Sequence, residues 1–317
     1  MNEIIIEEED KNSSINEKIT KSNKLKLCCI TWNMHGLNPS QNEINALLAP
    51  HKKNDYDIFA IGSEECLRSI FKSLFYSDKT IWEGNLKNYF GNDYQLIASE
   101  TLCAIHLVIF IKSSLIKNIS RVQANKVKTG AKNLLGNKGA VGISFNIFNL
   151  SIMIINCHLA AYQDRSVQRN IDFQRCVTNM TNNYQSFDFI VLMGDLNYRL
   201  NNLNVDMNKI QEEHLQFLNY DQLKYENNIN RLNMNGFKEG EINFKPTFKY
   251  WNNTDNFQYL DTHKIDQAPA WTDRILYKKN DTCTNILDVR QDKYDSMHEI
   301  KMSDHKPVYS YFTLNFA

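Results

Sequence analysis

Glycine and proline are scarce in this chain, 11 and 5 among 317 residues. That excludes a collagen-like, fibrous or proline-rich protein, and no Gly/Ser- or Pro-rich linker interrupts the chain after Lys24. The seven cysteines are odd in number, form no CxxC pair and include several inside apolar runs. Free thiols in a reducing compartment follow from this, not a disulfide framework. The eight histidines contain no HxxxH pair, and none stands at zinc-ligand spacing from a cysteine, which argues against a structural zinc site. Charge of one sign is also missing: 36 basic and 36 acidic residues cancel, leaving no global basic field for nucleic acid. The longest apolar runs, such as AIHLVIFI at 104–111, fall well short of the roughly 20 residues needed to cross a bilayer. The N-terminal sequence lacks a signal-peptide pattern, and the C-terminal TLNFA has no cysteine for prenylation. These absences predict a cytoplasmic protein, with peripheral association as its route to membranes.

What is present is an ordinary globular composition, with 42% apolar residues and enough length for a large core. Residues 1–23 are acidic and polar and read as a disordered tail; 24–317 read as one domain without internal repeats. Strand-length apolar runs recur at 25–34, 56–64, 94–101, 104–112, 140–148, 150–159, 187–196, 271–279 and 306–316. Several are apolar at consecutive positions, the mark of strands buried on both faces. FNIFNLSIMII reads as a hairpin with Asn149 near its turn. Helical spacing appears at 67–75, 80–90, 166–184 and 205–226. Hairpins mixed with strand–helix alternation predict an α/β fold of two packed sheets flanked by helices.

Polar residues concentrate at the C-terminal ends of the apolar runs. CCIT ends in WNMHG, FAIG in SEE, MIIN in CHLAA and IVLM in GDLN, while SDH precedes the last run and TDR lies inside another. Strand ends are where α/β architectures hold ligands, because a rigid sheet aims their side chains. Asn33, Glu65, Asp195, Asn197 and Asp304 supply hard oxygen donors, and His158 and His305 supply imidazoles. Such a set suits Mg²⁺ over zinc or copper, and is the equipment of phosphoester hydrolysis. The blander readings are turn chemistry for GDLN, an exposed acid at a helix start for Glu65, and a satisfied core histidine for His158.

The ordered series ITWNMHG, IGSEE, LLGNKGAVGISF, NCHLAA, RNIDF, GDLNYRL, KPTFKY, PAWTDRIL and SDHKPV, spanning about 26–316, resembles the inositol polyphosphate 5-phosphatase catalytic domain of the endonuclease/exonuclease/phosphatase superfamily. GDxN and SDH are shared across the superfamily; GNKGAVG, PTFKY and PAWTDRIL are specific to the 5-phosphatases. The resemblance implies a four-layer, DNase I-like α/β sandwich with mostly antiparallel or mixed sheets. It implies Mg²⁺-dependent removal of the 5-phosphate from phosphatidylinositol 4,5-bisphosphate, the 3,4,5-trisphosphate or both, by direct attack of water. A phosphatase acting mainly on soluble inositol polyphosphates is the alternative. A nuclease or sphingomyelinase and a non-catalytic phosphoinositide-binding module are the rivals from other classes.

Residue by residue, the resemblance makes Glu65 a metal ligand with Asn33 in the metal's shell. Asp195 becomes the base that holds the attacking water, and Asn197 a contact to the scissile phosphate. His305 and His158 become phosphate donors, with Asp273 orienting His305 and Asp304 completing the polar shell. Lys138 and Lys249 are expected to bind further phosphates, with Arg199 and Arg274 holding the motif loops. No HCxxxxxR loop surrounds Cys157, so it is expected to pack and not to act as a nucleophile. Leu134 and Leu135, beside Lys126, Lys128 and Lys132, are expected to touch a transient anionic membrane surface. A monomer is expected. The chain departs from the family pattern at Glu64, where Gln is usual, and at Phe248, where Tyr is common. It also has Ile265 and Gln267 where members that recognise a 4-phosphate carry Lys and Arg. Lys264 and His263 lie close by.

Overall fold

The computed structural model describes residues 23–66, 79–130, 135–181, 186–201, 206–234 and 236–317. Its frame is two six-stranded sheets. The first has strand order β11-β12-β1-β2-β4-β3, the second β5-β6-β7-β8-β10-β9. The first contains β1 (Asn23–Asn33), β2 (Ile58–Glu64), β3 (Tyr94–Leu102), β4 (Ile105–Lys112), β11 (Ile286–Ser296) and β12 (Val308–Phe316). The second contains β5 (Ile119–Thr129), β6 (Leu135–Ile147), β7 (Leu150–His158), β8 (Phe189–Asp195), β9 (Lys238–Glu239) and β10 (Asp273–Lys279).

Each sheet has a parallel pair at its centre, β1 with β2 and β7 with β8, and antiparallel partners outside. The inner faces pack on one another through Leu27, Cys29, Ile58 and Ile109 of one sheet and Val141, Ile154, Val191 and Met193 of the other. Helix α3 (Ser166–Thr181) covers the outer face of the second sheet with Phe173, Cys176, Val177 and Met180. Helices α1 (Gln41–Leu48) and α2 (Thr80–Phe90) cover the first with Ile44, Leu48, Trp82 and Phe90. Central strands are thus buried on both faces, the physical origin of the continuous apolar runs.

The hairpin of β6 and β7 turns at Phe148–Asn149, with the left-handed φ of 54° falling on Phe148. One expectation needs correction. The segment 205–226 is not one helix: it breaks into turns at Met207–Gln211, His214–Phe217 and Leu218–Tyr220, and α4 (Gln222–Asn228) starts only after Asp221. The Asp206 and Asp221 side chains accept from Asn208 N and Lys224 N, each restarting the backbone as a new cap. Edge strands β5 and β11 and helix α1 were not expected. The two edge strands are largely exposed and polar and exist through pairing with β6 and β12. Helix α1 opens on a reciprocal Ser40–Glu43 capping box. The expected helix at 67–75 and the expected tail, apart from Asn23 in β1, lie outside the described residues.

Candidate active site

Strand register brings the polar ends together. Asn33 pairs with Glu64 at the end of β1/β2, and His158 with Asp195 at the end of β7/β8. Asp273 opens β10 directly opposite Asp195. The ends of both sheets meet at one edge of the sandwich around a cavity of about 980 Å³. Asn33, Glu65, Lys138, His158, Asp195, Asn197, Lys249, Asp304 and His305 all line it. Asp273 stands behind His305. Of the expected membrane contacts, Leu135 begins β6 with 43% of its surface exposed and does not line the cavity, and Leu134 lies outside the described residues.

Asp195 is the hub. Its Oδ2 lies 3.2 Å from His158 Nε2 and accepts from Asn33 Nδ2 at 3.0 Å, while Oδ1 accepts the Asn197 backbone N–H at 3.0 Å. Burial alone would raise this carboxyl, but the hydrogen bond from His158 and the charges of His305, His158 and Lys138 hold it far below the ordinary carboxylate range. Lys138 Nζ touches His158 Nε2. Burial pushes the Lys138 ammonium down to about 8, against the pull of Asp195 and Glu65. Burial, then Lys138, lowers His158.

His305 is tied from behind. Its Nδ1 lies 2.9 Å from Asp273 Oδ2, and that oxygen also accepts from Thr247 Oγ1 at 2.6 Å and Thr272 Oγ1 at 2.8 Å. Burial lowers the imidazole, but Asp273, then Asp195 and Asp304, prevail and raise it to about 9. Phe248 packs on the ring at 4.5 Å between centroids. Trp32 Nε1 donates to the His305 carbonyl at 3.2 Å.

Glu65 and Asn197 both adopt left-handed backbone, φ 50° and 58°. For a residue with a Cβ this costs on the order of 1 kcal/mol, strain that clusters at functional sites. The Asn197 carboxamide is anchored at both ends, Nδ2 to the Leu159 carbonyl at 3.2 Å and Oδ1 from Arg199 at 2.8 Å. One N–H remains for the cavity. Among the described residues the Glu65 carboxylate has no hydrogen-bond or ion-pair partner and lines the cavity beside Asn33. A bare carboxylate with an amide oxygen and the ionised Asp195 is a hard-oxygen donor set that fits a divalent cation such as Mg²⁺. Asp195, Asp273 and His305 also offer donor atoms within 4.8 Å of one another. The Asp273 oxygens are already committed to two threonines and His305, so that trio is a carboxylate–histidine pair beside a second acid.

Two glycines are fixed by the same geometry. A Cβ on Gly139 (φ 144°) would meet the Val127 carbonyl oxygen at 2.0 Å, and one on Gly194 (φ 134°) the Cys157 carbonyl oxygen at 2.0 Å. Those contacts explain GNKG beside Lys138 and the glycine before Asp195. Cys157 is buried and packs. Buried Glu64 accepts from Thr31 Oγ1 at 3.0 Å, and burial, then Asp273 and Asp195, pushes its carboxyl well up. The neutral acid this favours is isosteric with glutamine.

Lys249 Nζ lies 3.5 Å from Asp304 Oδ2, whose Oδ1 faces His35 Nδ1 at 3.3 Å. Arg199 donates to the Asn197 and Asp266 carbonyls and stacks over Phe248 at 4.3 Å. Arg274, fully buried, pairs with Asp221 at 2.9 Å and Glu239 at 2.6 Å and does not line the cavity. Ile265 is 58% exposed, and Asp266 and Gln267 line the rim. Sequence reasoning missed Thr247, Thr272 and Ser303, which hold Asp273, His305 and the Asn33 carbonyl. It also missed Arg165 and Arg175, which line the cavity from the α3 side. Threonine and serine carry no distinctive spacing; only their places inside PTFKY, PAWTDRIL and SDH could have marked the first three.

The chain matches the family model described as Endonuclease/Exonuclease/phosphatase family 2 over residues 30–311. It is 30% identical to Polyphosphatidylinositol phosphatase INP53 of Saccharomyces cerevisiae, over 95% of this chain and 27% of that protein. It is 31% identical to Type IV inositol polyphosphate 5-phosphatase 11 of Arabidopsis thaliana, over 90% of this chain and 82% of that protein. The inositol polyphosphate 5-phosphatase domain of SpSynaptojanin, solved in complex with inositol (1,4)-bisphosphate and calcium ion, superposes with a TM-score of 0.79 at 26% identity. That match covers 93% of this chain and 86% of the other. The chain therefore spans about a quarter of the yeast relative's length and most of the plant one's.

Proposed function

This chain belongs to the inositol polyphosphate 5-phosphatases of the endonuclease/exonuclease/phosphatase family, and on that premise we propose that it hydrolyses the 5-phosphate of phosphoinositides in a Mg²⁺-dependent reaction. The observation that carries the reading is the meeting of Glu65, Asp195 and His305, from three distant stretches of chain, in one cavity. Glu65 and Asn33 would hold the cation, and the chemistry it would supply there is neutralisation of charge on the phosphoryl group. Asp195 orients the attacking water and accepts its proton, while the bond from phosphorus to the ring 5-oxygen breaks and that oxygen leaves as a hydroxyl, taking its proton from solvent. A carboxylate held so far ionised is a weak base, which suffices where bond formation to the nucleophile is late, as in loose phosphoryl transfer. His305, kept cationic by Asp273, donates from Nε2 to a non-bridging oxygen, and His158, Asn197 and Lys138 supply further donors. No side chain forms a covalent phosphoenzyme. Lys249 meets another substrate phosphate.

Leu135, exposed at the start of β6 beside the lysine-bearing β5, supports contact with an anionic membrane and so a lipid substrate. Phosphate release from a panel of phosphoinositides and soluble inositol phosphates, with Mg²⁺ and with chelator, tests the proposal. Mg²⁺-dependent release from lipids bearing a 5-phosphate, and not from those without it, is expected. Turnover of soluble inositol polyphosphates alone would establish the alternative substrate class; release from none of the substrates would overturn the reading.

A further inference from the structure

We propose that Arg165 supplies an anion subsite of its own, besides those of the reacting phosphate and of Lys249, holding a substrate phosphate that is not hydrolysed, where Tyr162, Asp266 and Gln267 line the cavity. The inference rests on the inositol phosphate reading and concerns where the remaining charges of such a substrate are met.

The cations lining the cavity are unequally available. Arg199 is spent on Asn197, on the Asp266 carbonyl and on the Phe248 ring. Lys249 faces the Asp304 carboxylate at 3.5 Å. Lys138 sits against His158 beside the reacting centre. The turn Ile265–Gln267 contributes no cation: it brings an apolar side chain, a carboxylate and an amide whose oxygen accepts from Thr262 at 2.6 Å. That amide still has N–H groups to donate. Among the described residues, the guanidinium that an anion here meets without a buried partner is that of Arg165. Its side chain is 59% exposed, and the acid in reach is its own neighbour Asp164, 3.7 Å away and 79% exposed. A pair so exposed contributes little and yields readily to a phosphate.

The backbone carrying Arg165 is firmly held although the side chain is exposed. Gln163 N donates to Asp266 Oδ1 at 3.1 Å, and Gln222 Nε2 donates to the Gln163 carbonyl at 3.2 Å. Arg169 donates to the Tyr162 carbonyl at 2.7 Å and, through its backbone N–H, to the Arg165 carbonyl at 2.9 Å. The first of these bonds ties the Arg165 segment directly to the turn that lacks a cation. A guanidinium on a fixed stem, lining the same cavity as the Gln267 amide, matches the planar, bidentate demand of a phosphate. Arg175 also lines the cavity, and its Nε donates to the Lys128 carbonyl at 3.3 Å. Ten residues along the chain from Arg165, its backbone stands about 15 Å away at the helical rise, which makes it the comparison cation for the test.

The source of that phosphate is either another ring phosphate or the phosphodiester of a lipid, and two soluble substrates separate them: an inositol polyphosphate with an adjacent ring phosphate, and a glycerophosphoinositol 5-phosphate with only the diester. Phosphate release is measured for the wild-type chain and for Arg165→Ala, Arg165→Lys and Arg175→Ala. Binding of the same compounds is measured by calorimetry in chelator, where turnover is absent. The expected result is a KM, and a calorimetric Kd, raised about tenfold by Arg165→Ala for one of the two substrates, a loss of the size of one charge-assisted hydrogen bond. kcat should stay within about twofold, with partial recovery in Arg165→Lys. Unchanged KM and Kd for both substrates in Arg165→Ala, or the same loss from Arg175→Ala instead, overturns the subsite. If the wild-type chain binds these compounds, and Arg165→Ala weakens that binding, without any phosphate release, the subsite stands and the hydrolytic reading fails.

Discussion

Asp273 Oδ2 stands 2.9 Å from His305 Nδ1, joining the start of β10 in the second sheet to the loop before β12 in the first, 32 positions apart in the chain. The pair keeps the imidazole cationic and turns its other nitrogen to the cavity. Replacing Asp273 by Asn removes the largest of the charges that outweigh burial, so His305 should titrate well below its about 9. A raised folded pKa stabilises the fold fully below pH 6.5 and loses that contribution as pH rises through about 9. Thermal melts of the wild-type chain should therefore lose stability across that window, and Asp273→Asn should lack the slope. Its kcat at pH 7 should fall about 100-fold or more, the size of a lost charge-stabilising donor. A variant with unchanged melting slope and kcat would remove the pair from the mechanism.

Asp195→Ala should lower kcat by about 100- to 10,000-fold, the range for a positioned base. It should leave folding intact, because the side chain sits at a strand end and its loss leaves the β8 ladder unbroken. Phosphate release together with circular dichroism checks both halves.

The ammonium of Lys138 loses its proton near pH 8 in the free protein. Since kcat/KM reports free-enzyme ionisations, it should decline above about pH 8. In Lys138→Arg that decline should move upward, because a guanidinium does not titrate in this range. An unmoved alkaline limb would assign it to another group.

Chelation should abolish turnover, and Mg²⁺ should restore it. Glu65→Gln should demand more Mg²⁺ for half-maximal rate, by about tenfold or more, if Glu65 is the charged ligand proposed above. A titration of rate against Mg²⁺ decides it.

Leu134→Asp with Leu135→Asp should reduce activity on anionic vesicles more than on a short-chain soluble substrate, because a charge at the interface opposes insertion of the loop. Equal losses on both would place these leucines in the fold and not at a membrane.

Much of the frame was legible in the chain itself. Runs such as LSIMIINCH and FIVLMGD can be satisfied only as strands covered on both faces, which dictates layered sheets. The polar groups at their ends then fall on one edge, since consecutive parallel strands finish on the same side. Gly139 and Gly194 were fixed by motif before the carbonyl contacts that require them were visible. Tertiary structure alone decided the rest. Strands β5 and β11 have no apolar pattern, because their stability comes from hydrogen bonds to β6 and β12 and not from burial. The helical spacing of 205–226 gave way to Asp206 and Asp221, whose caps act on nearby backbone N–H groups, while Asp221 also binds Arg274, 53 residues on. Thr247 and Thr272 bond Asp273, and the Gln163 N–H ties the Arg165 segment to Asp266, through contacts between segments far apart in sequence. Local spacing records which face of an element is apolar; it does not record which distant side chain will arrive to satisfy a carboxylate.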